Sequence, residues 1–122
     1  MPDDRYDIHL DDKFGQLAHI DLAAEAAARK PWFNQTLTSV NDAVVRLGVI
    51  EGEFHWHKHD DTDEFFLVLD GQLLIDLQDA ATVVLDPHHA FTVPKGTVHR
   101  TRARPRTSIV MVEASGVVPT GD

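Results

Sequence analysis

Residues 52–71 read GEFHWHKHDDTDEFFLVLDG, and residues 93–103 read VPKGTVHRTRA. These two stretches place His57 and His59 two positions apart, Glu64 five further on, and His99 well downstream. In an extended strand, residues two apart share a face and lie about 6.5–7 Å from each other. His57 and His59 therefore point the same way. If 57–59 and 64–69 form a hairpin around the loop 60–63, His59 and Glu64 face each other with Cβ atoms roughly 5 Å apart. Three imidazoles and one carboxylate converging from three strand positions predict a metal site, with His57, His59, Glu64 and His99 as ligands of one divalent ion. Imidazole and carboxylate suit Mn, Fe, Ni, Zn and Cu alike, so the donor set does not name the ion. Four protein donors leave one or two coordination positions open to water, oxygen or a chelating substrate.

The surrounding chain is written as short strands. From Trp32 onward, runs of Val, Ile, Leu, Thr and Phe alternate with turn residues. Turns are expected at Asn41-Asp42, Glu51-Gly52, 60–63, Asp70-Gly71, 79–81, Asp86-Pro87, 94–96 and Arg104-Pro105. Asp70-Gly71, between FFLVL and QLLIDL, is the strongest hairpin signal, because both central residues of that turn need positive φ. About eight strands with this punctuation predict an all-β jelly roll of two sheets, or a closed barrel. Ahead of them, residues 21–30 (DLAAEAAARK) predict one short helix, capped by Asp21 and stopped by Pro31. Residues 1–16 are polar and read as a frayed arm. The chain divides into an N-terminal arm and helix (1–31), the β-barrel (32–115) and a loose C-terminal tail (116–122).

Strand parity assigns faces. His55, His57, His59, Glu64, Phe66 and Val68 are expected to point inward, and Phe54, Trp56, Phe65, Leu67, Leu69 and Leu74 outward. An apolar outer face has to be covered. The helix, the arm or a second subunit would serve, and a homodimer fits the size of the patch best.

Composition bounds the setting. A chain of 122 residues forms one domain that buries about two-thirds of its unfolded surface. It has no cysteine, hence no disulfide framework and no thiolate ligand. The acidic start MPDDRYDIHLDD is no signal peptide, and no apolar run reaches membrane-spanning length. A formal charge of −9 argues against nucleic acid, whose binding depends on Lys and Arg. The expectation is a cytoplasmic protein with no membrane partner.

Gly52-x4-His57-x-His59-x4-Glu64-x6-Gly71 resembles the first motif of the cupin superfamily, and His88-x5-Pro94-x-Gly96-x2-His99 resembles the second. The resemblance spans roughly residues 45–103 and implies a small single-domain cupin. That is a double-stranded β-helix, or jelly-roll, barrel holding one divalent metal, often as a dimer. Three positions depart from the pattern. Gly52 stands one residue closer to the first histidine, His88 replaces the opening glycine of the second motif, and Ala103 replaces a frequent asparagine. None of them removes a ligand.

Other residues carry weaker signals. His55 is the candidate catalytic group, either orienting a ligand or transferring a proton. Phe66 is the candidate substrate-binding wall beside the metal. Arg100, Arg102, Arg104 and Arg106 share one strand face and read as solvated, with an anion-binding strip as the alternative. Asp60, Asp61 and Asp63 read as a hydrated loop, His88-His89 as a turn, and His9 and His19 as unpartnered. The resemblance implies dioxygenases, sugar isomerases and epimerases, lyases and non-catalytic binders. A dioxygenase-type metalloenzyme acting on a small oxygen-rich molecule leads. A metal-dependent sugar or sugar-acid isomerase or lyase comes next, then a small-ligand-binding module.

Overall fold

The computed structural model describes residues 6–122. Among these residues, eight strands and one helix follow in the order β1 (Asp7–His9), α1 (Leu22–Ala27), β2 (Phe33–Val40), β3 (Ala43–Glu53), β4 (Glu64–Asp70), β5 (Leu73–Leu77), β6 (Val83–Leu85), β7 (Ala90–Val93) and β8 (His99–Ala114). The architecture is the expected all-β jelly roll with one short helix.

Strand β8 organises the barrel. Its C-terminal part, 107–114, lies between β3 and β4, and its first residues, 99–102, run beside β5. The end of β3 runs along β8, with Gly52 opposite Ala103 and Glu53 opposite Arg102, and the chain continues to a bridge between His57 and His99. Strand β7 extends the sheet beyond β4, β2 and β1 extend it beyond β3, and β6 pairs with β5.

Two expected turns are therefore bends inside strands. Glu51-Gly52 is a bulge of β3 with Gly52 at φ +101°, facing the stretch where Arg104-Pro105 runs through β8. Pro105 lacks an N–H, and it falls in the gap of the ladder where none is needed. Asp70-Gly71 is likewise no hairpin, because β4 and β5 pair with β8 and not with each other. Gly71 is needed for a different reason. It has φ +85°, and a Cβ there would lie 2.3 Å from Thr107 Oγ1 and 2.8 Å from the Arg106 carbonyl oxygen.

Apolar residues fill two regions. Ile50, Phe66, Val68, Leu73, Ile75, Leu85, Val93, Ala103, Ile109 and Met111 form the barrel interior. Ala26 of α1 packs with Phe33, Leu37, Leu47 and Val49, and Phe14, Ile20, Leu22 and Leu69 close around them. The helix starts where Asp21 Oδ1 accepts from the Ala24 N–H at 3.1 Å. Arg106 donates to the Ala26 and Arg29 carbonyls at its other end.

The arm and tail are tied down, against expectation. The arm adds β1 in parallel to β2, then the Lys13 and Phe14 N–H groups donate to Thr36 and Leu37. Residues 1–5 lie outside the described residues. The tail folds back over the end of the barrel and hydrogen-bonds to residues 55–60.

Candidate metal centre

The four predicted ligands meet at one point. One donor atom from each of His57, His59, Glu64 and His99 lies within 4.8 Å of all the others. The route differs from the expected hairpin. Residues 57–59 do not pair with β4. Instead the His57 and His99 N–H groups each donate to the other's carbonyl, both at 2.9 Å. Glu64 opens β4, opposite Val93 of β7 and Glu113 of β8. His59 is fixed by its own carbonyl, which accepts from the Gly96 N–H at 2.8 Å. The Lys95 N–H donates to Asp63 Oδ1 at 2.9 Å, so Asp63 belongs to this frame and is no hydrated bystander.

Two tautomers are set by the backbone. His99 Nδ1–H donates to the Thr97 carbonyl at 2.8 Å, and His57 Nδ1–H donates to the His55 carbonyl at 3.1 Å. With Nδ1 so engaged, Nε2 is the atom each ring has left to offer a metal. Burial, reinforced by His99, lowers the His57 pKa to about 4, so this ring is neutral at physiological pH. Burial also disfavours charge on His59, but the adjacent Glu64 carboxylate outweighs it and raises the pKa. Glu64 is buried, and His59 and His99 hold it in the ionised form.

The donor set fits a cation. His99 Nε2 and His59 Nε2 stand 3.2 and 3.4 Å from the same Glu64 Oε1. His59 is only 4 % exposed, and neither of its ring nitrogens has a hydrogen-bond partner. Buried imidazole nitrogens need a partner. An ion held jointly by these four residues would supply it.

A cavity reaches His57 and Glu64. Its walls are Tyr6, Trp32, Phe54, Phe66, Ile50 and Met111, with Asn34 and Thr101 among its few polar groups. Phe66 lines it as expected. Phe54, assigned outward by parity, lines it too, because the chain leaves regular strand geometry after β3. The same irregularity keeps His55 out of the cavity and exposed at its mouth. Trp56 does face outward, beneath the Arg100 guanidinium.

A buried pair escaped the sequence reading. Glu113 lies directly across from Glu64, and Arg46 Nε reaches Glu113 Oε1 at 3.2 Å. Arg46 also donates to Asn34 Oδ1 and Thr36 Oγ1. Burial, then the Glu64 charge, pushes the Glu113 carboxyl above its ordinary range. The alternation of β8 carried the signal, since Glu113 shares the phase of the inward Ile109 and Met111.

Other expectations are settled outside the site. Arg100 and Arg102 bind Asp76, and Arg106 holds the helix, so these arginines form no anion-binding strip. His9 has a partner after all, Asp7 Oδ1 at 2.7 Å. His88 occupies the glycine position of the second motif at φ +72°, in the left-handed region glycine favours. Ala103 packs in the apolar interior.

Comparison with known proteins agrees with the geometry. The cupin domain profile (Cupin_2) matches residues 43–114. The chain is 47 % identical over 92 residues to the uncharacterized protein YdbB of Bacillus subtilis (strain 168), covering 75 % of this chain and 81 % of that one. A crystal structure of a cupin-2 domain protein from Shewanella frigidimarina NCIMB 400 superposes with a TM-score of 0.74 at 31 % identity, covering 78 % of this chain and 93 % of the other. The fold is also that of a hydroquinone 1,2-dioxygenase, PnpCD, solved with Cd2+ and 4-hydroxybenzonitrile (TM-score 0.67, 21 % identity, 84 % and 74 % covered). The chain is a member of the cupin domain family.

Proposed function

We propose that the protein is a metal-dependent enzyme of the dioxygenase type, acting on a small molecule with an aromatic or similarly apolar body and an oxygen substituent. The observation that carries this reading is the cavity, whose walls are aromatic and aliphatic and whose polar end is the ligand cluster. Tyr6, Trp32, Phe54 and Phe66 offer ring faces and edges to a planar body. Such walls orient the molecule so that its oxygen approaches His57 and Glu64, and they exclude water around it. A divalent ion bound by the cluster would supply Lewis-acid polarisation of that oxygen and, if redox-active, the means of activating dioxygen.

A sugar acid suits the cavity less well, because its hydroxyls would enter a space with few polar partners and lose hydrogen bonds made in water. The isomerase or lyase reading also needs a general base, and its candidate, His55, stands at the mouth. A binding module would use the same pocket without turnover.

The test is metal analysis of protein purified without an affinity tag, joined to oxygen uptake over a panel of small phenols, diketones and sugar acids. Iron, manganese or copper with uptake on phenols or diketones is the expected result. Zinc or nickel with no uptake moves the reading to the isomerase or lyase. Tight binding of a panel member without turnover moves it to the binding module.

A further inference from the structure

We propose that residues 117–122 form a strap that closes the mouth of the cavity, and that His55 is the latch holding it. The segment crosses the barrel opening and seats on the ligand-bearing stretch 55–60. His55 Nε2–H donates to the Thr120 carbonyl at 2.6 Å. The Asp122 N–H donates to the Lys58 carbonyl at 2.9 Å, and Asp122 Oδ2 accepts from the Asp60 N–H at 2.6 Å. Between these bonds Gly121, at φ +100°, lies flat against His57, where a Cβ would come within 2.6 Å of the His57 Cβ. Pro119 is buried and forms part of the cavity wall.

His55 joins both ends of the chain across the opening. With Nε2 donating to Thr120, its Nδ1 accepts from the Tyr6 hydroxyl at 3.4 Å. Its ring stacks on Phe54 with centroids 4.4 Å apart. Two cavity walls, Tyr6 and Phe54, and the strap therefore meet at this one imidazole, and Trp32 packs on both of those walls.

The strap is built to release. Apart from Pro119 it is held by hydrogen bonds near solvent, and Val118 is 51 % exposed. Segments with few buried apolar contacts open at low free energy. Opening of the strap would widen the entrance for a ligand large enough to touch Trp32 and Phe66. Once the strap recloses, Pro119 completes the wall around the ligand. The role of the strap rests on the cavity as the ligand site and not on the chemistry performed there.

Two measurements test it, one of them independent of metal. In the Trp56→Phe background Trp32 is the sole tryptophan, because the chain has two. Acrylamide quenching of its fluorescence then reports access to the cavity. Ending the chain at Gly116, or replacing His55 by Ala, should raise the quenching rate constant, whereas His55→Gln, which can still donate to Thr120, should change it less. In the Co(II)-loaded protein the same variants should speed removal of the ion by dipicolinate about tenfold, as expected where the open state is a minor population of about 10 %. Unchanged quenching in both the shortened chain and His55→Ala would overturn the strap. Failure of the unaltered protein to take up Co(II) would count against the metal centre alone, since the quenching measurement needs no ion.

Discussion

Glu64 and Glu113 are cross-strand neighbours on β4 and β8, two carboxyl groups buried side by side in the barrel. They divide the site between them. Glu64 joins the three histidines, while Glu113 is held by Arg46, itself 2 % exposed. The arginine is the cation that lets two acidic groups share so little volume.

Replacing Arg46 by Met leaves the two carboxyl groups facing each other without it. Glu113 is already pushed toward its neutral form, so the cost is that of buried polar groups left without their hydrogen bonds, about 1–3 kcal/mol. A bound divalent ion would return positive charge beside Glu64, so saturating Zn2+ should raise the melting temperature of Arg46→Met more than that of the unaltered protein. Thermal denaturation of both proteins, with and without the ion, checks this. Equal shifts would mean that Arg46 and the ion do not act on the same charge.

His99 and His55 should separate by role. His99 is locked by Thr97 with its Nε2 toward Glu64, so His99→Ala removes one of four donors and should weaken metal affinity by roughly a hundredfold or more. His55 offers no donor to the cluster, and His55→Ala should leave equilibrium metal content nearly intact. Dialysis followed by metal analysis distinguishes the two. On an identified substrate, full activity in His55→Ala would end its role in proton transfer and, with it, most of the isomerase case.

The His57, His59, Glu64 and His99 cluster was legible in the sequence because its chemistry is local in type and its spacing is fixed by two motifs. What failed was any inference that needed long-range pairing. Parity between His55 and His57 assumes a flat strand, and the chain after Glu53 follows β8 only through isolated bonds, so Phe54 turns in and His55 turns out. Asp70-Gly71 has hairpin chemistry, yet the demand on Gly71 comes from Thr107, 36 positions away, which only the fold brings near. Arg46 and Glu113 are the single charges of the apolar stretches 43–50 in β3 and 109–114 in β8. Nothing within either strand says that they meet.

Asp76 should govern acid stability of the β5–β8 face. It accepts from Arg102 Nε at 2.7 Å, Arg100 Nε at 2.8 Å and Thr82 Oγ1 at 2.7 Å, and these bonds hold its carboxyl below the ordinary value of 3.8. A depressed carboxylate contributes its stability above the unfolded value and loses it as pH falls through the folded one. Asp76→Asn should therefore cost about 2 kcal/mol near neutral pH, less than for a fully buried pair because both arginines are partly exposed. The gap from the unaltered protein should persist down to about pH 4 and close below it. Denaturant titrations across that range test the sign, and a gap that widens in acid contradicts it.

Phe65 and Leu67 lie on the outer face of β4, opposite Val112 and Val110 of β8, while α1 and the arm cover the neighbouring Leu69. A second copy of the chain is the proposed cover for this stripe, with an interface beyond about 1,000 Å². Sedimentation at tens of micromolar should show a dimer, and the double change Phe65→Lys and Leu67→Lys should yield a folded monomer with unaltered metal content. A monomer before any substitution removes the proposal.

Metal binding should weaken as the medium becomes acid, and His59 is a residue that sets the onset. Its pKa is raised above the ordinary 6.5, because the gain from Glu64 exceeds the loss from burial. In the metal-free protein a proton therefore occupies His59 over part of the neutral range, and the ion has to displace it. His57 is different. Burial and His99 keep it neutral down to about pH 4, so it adds no proton competition near neutrality. Lowering the pH from 8 to 6 should accordingly reduce affinity for Zn2+, and binding at pH 7 should release protons. Calorimetry in two buffers of different ionisation enthalpy measures that release directly. Affinity that stays flat from pH 8 to 6, with no proton released, would show that Glu64 does not hold a proton on His59 in the metal-free site.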